Sequence, residues 1–301
     1  MKSFDGTEIF YSSEGTGKPL VFCYGLICSS LHWTYQIDYF RNTHQTIWFD
    51  YRAHHNSQAP DDLKSLTIEN SARDLLAVLD ALKIKDAVIV GHSLGVNVAL
   101  EFYRQNPKRV AGLVLANGTV KRPFETILNT NVRAGIPLLR AIFDKAPGVL
   151  SSLWKLQKGN QLVRSVLGMT GFNPHLSHKS DIKRYADDLA DIPMEVFLQL
   201  AENFDPYDAT DWLHTVKTPT LVIAGDQDII TPIAQQELMH QLIDGSLMEV
   251  INHGSHFSQM DLPDLINLKV EKFLSSFHYG EDRRKRSPKG VAPLLPDSFD
   301  P

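Results

Sequence analysis

Cysteine is nearly missing from this chain: its 301 residues hold two, Cys23 and Cys28. Two thiols cannot frame a disulfide-stapled domain, so the fold must stand on an apolar core, and a reducing, cytoplasmic setting is the expectation. Cys23 lies in an apolar stretch and reads as a small core residue. Cys28, in the loop after it, is open to a second reading as a reactive thiol. Long apolar runs are also lacking. None approaches the roughly 18 residues that span a bilayer, and the opening Met1-Lys2-Ser3-Phe4-Asp5-Gly6 has no signal-peptide h-region. A net charge of −5 gives no case for a nucleic-acid partner. No spacing among the 12 histidines looks like a metal site, so neither metal nor other cofactor is expected. One segment departs from the rest. Residues 280–301 carry Arg283, Arg284, Lys285, Arg286 and Lys289 against four carboxylates, with little apolar periodicity. A disordered basic extension is the simplest reading; contact of Arg283, Arg284, Lys285 and Arg286 with an anionic surface is the lesser one.

What is present is an ordinary globular composition, 43% hydrophobic and 22% charged, arranged as alternating strands and helices. Residues 8–13, 20–24, 46–49, 86–90, 110–115, 220–224 and 247–251 read as strands. Between them, 31–40, 66–82, 96–106, 233–242 and 263–273 read as helices; the second has Ile68, Ala72, Leu75, Leu76, Leu79 and Leu82 on one face. Strands separated by helices of this length imply an α/β fold, a mostly parallel twisted sheet with helices on both faces. Residues 121–213 break the rhythm, with helical segments and no convincing strand. They read as a helical lid inserted between residues 1–120 and 214–279, which form the core. Its apolar residues, Leu138, Leu139, Ile142, Leu150, Leu153, Trp154 and Phe197 among them, need a surface to cover.

The most informative stretch is Gly91-His92-Ser93-Leu94-Gly95. A β-branched apolar strand precedes it and a helix with Val96, Ala99, Leu100 and Tyr103 on one stripe follows. Strand, G-x-S-x-G, helix is a nucleophile elbow: the turn is so tight that its flanks tolerate almost no side chain, and Ser93 is pushed out at the carboxyl edge of the sheet. A serine hydroxyl is a poor nucleophile until a base removes its proton, and the base needs a third group to fix its tautomer. Both are supplied after the last two strands. Gly225-Asp226-Gln227-Asp228 follows one and Asn252-His253-Gly254-Ser255-His256 the other, at the edge where open α/β sheets place their sites. Spacing alone leaves Asp226 or Asp228, and His253 or His256. His54, His55 and His92 read as structural or solvent-facing. Asp50 and Arg52, two residues apart after a strand, read as the lock of a turn, with anion binding as the lesser alternative.

These stretches resemble the α/β-hydrolase superfamily, in its esterase-like serine hydrolase branch, over roughly residues 3–277. Leu20-Val21-Phe22-Cys23-Tyr24-Gly25-Leu26 is similar to the family's strand and oxyanion loop, and Asp50-Tyr51-Arg52-Ala53-His54 to its Asp-x-Arg-Gly-His turn. The elbow and the run Gly225 to Pro232, with His256 and Pro263, complete the likeness. The resemblance implies Asp228 as the acid and His256 as the base, with oxyanion donors from the backbone amides of Leu26 and Leu94. Tyr24 stands where most relatives have histidine. Tyr24 and Trp33, near the oxyanion loop, are expected beside the substrate. The implied activity is hydrolysis of a small to medium, partly apolar carboxylic ester through an acyl-enzyme. The same triad also serves thioesterases, acyltransferases and carbon–carbon bond hydrolases or lyases, and a ligand-binding protein with vestigial activity is the alternative of another class.

Overall fold

Runs such as Ala87-Val88-Ile89-Val90 can bury both faces of a strand, which suits the interior of a parallel sheet. The computed structural model, which describes residues 1–125 and 131–280, arranges such runs into one sheet. Its strands are β1 (Tyr11–Glu14), β2 (Pro19–Cys23), β3 (Gln45–Phe49), β4 (Ala87–His92), β5 (Val110–Ala116), β6 (Thr220–Gly225) and β7 (Leu247–Ile251). Their order is β1-β3-β2-β4-β5-β6-β7. Only the edge pairing of β1 with β3 is antiparallel; each pairing from β3 through to β7 is parallel. The chain leaves β2 for β3 on one side and returns as β4 on the other. That reversal opens a crevice beyond the carboxyl ends of β2 and β4, the usual ligand position in an open α/β sheet.

Helices cover both faces. α1 (Thr34–Phe40) follows a short 3-10 turn and α2 (Ile68–Ala81) starts where the Thr67 hydroxyl accepts the Asn70 N–H. α3 (Leu94–Gln105) continues from β4 and packs along α2. Between β5 and β6 lie α4 (Gly135–Lys145), α5 (Pro147–Lys155), α6 (Gln161–Thr170), α7 (Lys179–Asp191) and α8 (Met194–Phe204). α9 (Ile233–Leu242), α10 (Ser258–Asp261) and α11 (Pro263–Ser276) complete the described chain. The stem of the helical insertion is pinned by the Lys121–Asp208 bridge, by Ala209 N–H to Val120 O at 2.8 Å and by the Arg133–Asp205 ion pair. Ile192, Val196 and Leu200 then seat the insertion on Ile27 and Leu66 of the core loops. No described helix is long and apolar enough to cross a membrane. The basic segment with Arg283, Arg284, Lys285 and Arg286 lies outside the described residues.

Candidate active site

The elbow's geometry follows from what its neighbours leave free. A Cβ on Gly91 would fall on the Gly95 carbonyl, and one on Gly95 would fall on that of Cys23. Only glycine lets β4, α3 and β2 approach so closely. The turn holds Ser93 at φ +55° and ψ −122°, strained for any residue with a side chain. Ser93 is half-buried while its neighbours on either side are buried. Its hydroxyl makes no capping bond to the helix it precedes. Leu94, at the first position of that helix, has an N–H with no carbonyl one turn behind to receive it.

Across the sheet edge, Asp228 Oδ2 lies 2.9 Å from His256 Nδ1. The same oxygen accepts Asn117 Nδ2 at 3.0 Å and Thr231 Oγ1 at 2.7 Å, while Oδ1 accepts the N–H groups of Ile230 and Thr231, each at 2.8 Å. Burial works to raise this carboxyl, but the His256 ring, Asn117 and Thr231 outweigh it and hold Asp228 below the usual carboxylate range. An ionised Asp228 is acceptor only, so His256 Nδ1 must carry a proton in this contact, and in the neutral ring the lone pair is then on Nε2. Asp226 and His253 are both exposed, and His253 Nδ1 lies 3.2 Å from Gln227 Nε2 instead. The geometry thus joins Asp228, not Asp226, to His256.

Three further residues hold this pair: Asn117 and Thr231, which the sequence does not single out, and His92, which it reads as structural or solvent-facing. Asn117, at φ +49° after β5, bonds Asp228, the Ser255 carbonyl at 3.1 Å and the Ser258 hydroxyl at 2.6 Å. An Asn-Gly pair, here Asn117-Gly118, favours a turn and asparagine tolerates this backbone region, which is the one local clue. Thr231 ties Asp228 to Asn117 O at 2.8 Å. His92 Nε2 donates to the His256 carbonyl at 2.8 Å, with ring centroids 4.8 Å apart. Burial, with the His256 and His32 rings adding to it, pushes the His92 imidazole far below its ordinary value, so it stays a neutral donor.

Ser93 and His256 line one cavity of about 250 Å³ together with Leu26, whose loop runs directly beside the elbow. Phe124, Leu167, Tyr185, Phe197, Phe204 and Phe257 give it an apolar, largely aromatic wall, with Thr119, Thr170 and Thr231 among its polar points. Tyr24 and Trp33 are not among the lining residues, in contrast to their expected place beside the substrate. Both rings are fully buried because their polar tips serve the backbone: Tyr24 Oη accepts the Tyr51 N–H at 2.9 Å, and Trp33 Nε1 donates to Cys23 O at 3.1 Å. Cys28 does line the cavity, but burial and the nearby Asp188 push its thiol well up, against a reactive thiolate. Its Sγ donates to Leu26 O at 3.2 Å and so braces the loop. His55 Nε2 braces it again through Cys28 O at 2.9 Å. Arg52 pairs not with Asp50 but with Asp74, at 2.8 and 2.6 Å, and lies away from the cavity. Among the described residues no group of three or more His, Cys, Asp or Glu side chains is placed to hold a metal ion.

The sequence profile of the alpha/beta hydrolase fold matches residues 18–263. The chain belongs to that family. This α/β hydrolase is 28% identical to a non-heme haloperoxidase of Rhodococcus erythropolis over 90% of its own length and 97% of the relative's. It is 26% identical to 3-oxoadipate enol-lactonase 1 of Acinetobacter baylyi, over 81% of each chain. A solved thermophilic esterase from Thermogutta terrifontis superposes on 92% of this chain and 96% of its own with a TM-score of 0.73, at 23% identity, which speaks for the fold alone.

Proposed function

We propose that this α/β hydrolase cleaves a partly apolar carboxylic ester with Ser93 as nucleophile, His256 as general base and Asp228 as the group that orients His256. The observation that carries the reading is the 2.9 Å contact between Asp228 and His256 at the rim of a cavity that Ser93 also lines. Asp228 holds the proton on Nδ1, so Nε2 can take the Ser93 proton as Oγ attacks the ester carbonyl. The N–H groups of Leu94 and Leu26 receive the oxyanion, each contributing on the order of 3–4 kcal/mol in the transition state. His256 returns the proton to the leaving alcohol, and water, activated by the same Nε2, releases the acid and restores Ser93. No step needs a metal or organic cofactor. The aromatic wall favours an apolar acyl or alcohol portion, and about 250 Å³ limits its bulk. The insertion, whose Leu167 and Phe197 face that cavity, acts as its lid. The relative named as an enol-lactonase agrees with opening of a C(=O)–O bond.

A fluorophosphonate probe tests this directly. Wild-type protein should be labelled and should turn over p-nitrophenyl esters with an initial burst, while Ser93→Ala should lose both. Labelling that survives in Ser93→Ala would place the nucleophile elsewhere and end the proposal.

A further inference from the structure

The insertion buries one side of its first three helices and leaves the other bare. Phe143 of α4 and the inner side of α5, through Leu150 and Trp154, pack on Met194 and Leu198 of α8, and Gly168 of α6 faces Ile182 of α7. The opposite faces carry Leu138 and Ile142 on α4, Val149 and Leu153 on α5, and Leu162 and Met169 on α6, at helical spacing. Leu162 and Met169 are 72% and 69% exposed, and six such residues on three successive helices are a group rather than the scattered single apolar residues of an ordinary surface.

Charge and residue type identify the cover. Residues 135–170 hold five cations and one carboxylate in a chain of net charge −5. Arg140, Lys158 and Arg164 are paired with Glu202, Asp191 and Asp187, whereas Lys145 and Lys155 are exposed and make no salt bridge among the described residues. The bare faces are aliphatic, with no exposed aromatic side chain among the described residues 135–170. Protein-binding patches are rich in tyrosine, tryptophan and arginine and poor in lysine. Leucine and lysine on neighbouring faces of amphipathic helices suit a lipid interface instead. Position agrees: α6 presents Leu162 and Met169 outward while its Leu167 and Thr170, followed by Gly171, line the cavity that holds Ser93.

We propose that the outer faces of α4, α5 and α6 dock on an anionic lipid surface, and that the ester enters the cavity from that phase along α6. The entry half rests on the ester-hydrolase reading; the docking half does not.

Flotation of the full chain with phosphatidylcholine vesicles, with and without phosphatidylglycerol, tests docking without requiring turnover. The bound fraction should rise with phosphatidylglycerol and fall with added salt. Combining Leu153→Ser, Leu162→Ser and Met169→Ser should weaken partitioning at least tenfold, by roughly the apolar transfer energy removed, while circular dichroism and turnover of a short, water-soluble ester stay as in wild type. Replacing Lys145 and Lys155 by Gln should remove only the dependence on phosphatidylglycerol, about fivefold for each lysine. A folded wild-type chain that floats with no vesicle would overturn the proposal. So would sedimentation showing a dimer that the three-serine variant abolishes, since a second copy would then be the cover. Flotation without turnover of any ester would sink the entry half and the hydrolase reading, and leave docking in place.

Discussion

Asp228 is a carboxylate that burial would neutralise and five hydrogen-bond donors keep charged. The balance matters because a protonated Asp228 no longer dictates which His256 nitrogen carries the proton. Asp228→Asn keeps the volume and most of the bonds but presents an amide to Nδ1, which allows the wrong tautomer. The expected result is a fall in kcat/KM on the order of 10³–10⁴-fold, with the fold intact by circular dichroism. A loss below tenfold would point to another carboxylate, Asp226 being the nearest in sequence. The strand-and-turn pattern leaves Asp226 beside Asp228 and His253 beside His256, and the family resemblance chooses within each pair; with that choice made and Ser93 marked by its elbow, the three are readable from the chain. Asn117, Thr231 and His92 are not. Their roles consist of bonds to residues more than 100 positions away, or of a hydroxyl three residues from an acid, and such contacts leave no periodicity. Tyr24 and Trp33 mislead for the same reason: nothing in sequence tells which way a ring at the end of a strand or in a loop will turn.

At the level of elements, the loop after β3 is fastened to α2 by Arg52, 1% exposed, against Asp74, 0% exposed. Asp5 adds a second carboxylate at 2.9 Å. Such a buried pair contributes little over an apolar replacement, but removing one partner leaves a charge stranded in the interior. Asp74→Ala should therefore cost about 3–5 kcal/mol, read from urea unfolding midpoints at constant slope. A cost under about 1 kcal/mol would mean that Asp5 alone satisfies Arg52. The elements themselves are legible where periodicity is strong: residues 66–82 foretell α2 at Ile68–Ala81, and the late strand–helix units lie close to their expected limits. Residues 31–40 divide into a 3-10 turn and α1, because the Ser29 hydroxyl takes the Leu31 N–H and starts a tight turn first. The partner of Arg52 escapes the sequence, which offers Asp50 two residues away. Asp50 is already committed to Asn56, through its N–H at 3.1 Å and Nδ2 at 2.9 Å.

Over the whole molecule, the buried histidines set how the fold meets acid. Among the described residues, neither ring nitrogen of His32 has a hydrogen-bond partner, and the His54 ring bonds only the Arg52 carbonyl, at 3.1 Å. Burial lowers His32 to about 3, with the His256 and His55 charges adding to the effect, and lowers His54 to about 4. In the unfolded chain both return to about 6.5. Between those values the unfolded state binds protons that the folded state refuses, so stability is fully present above about pH 6.5 and is lost as pH falls. At pH 5 each of the two removes about 2 kcal/mol, and His92, shifted the same way by burial, adds to the loss. The Tm should therefore drop clearly between pH 7 and pH 5, and His32→Phe, placed among Phe257, Tyr185 and His92, should flatten that drop. A Tm independent of pH over this range would show that these imidazoles take up protons in place. A loss of activity in acid that arises only at the proposed catalytic groups reverses at once on returning to pH 7 and leaves near-ultraviolet circular dichroism unchanged. The stability loss does neither wherever unfolding has begun, so measuring both signals on one titration separates the chemistry of the rim from the cohesion of the core.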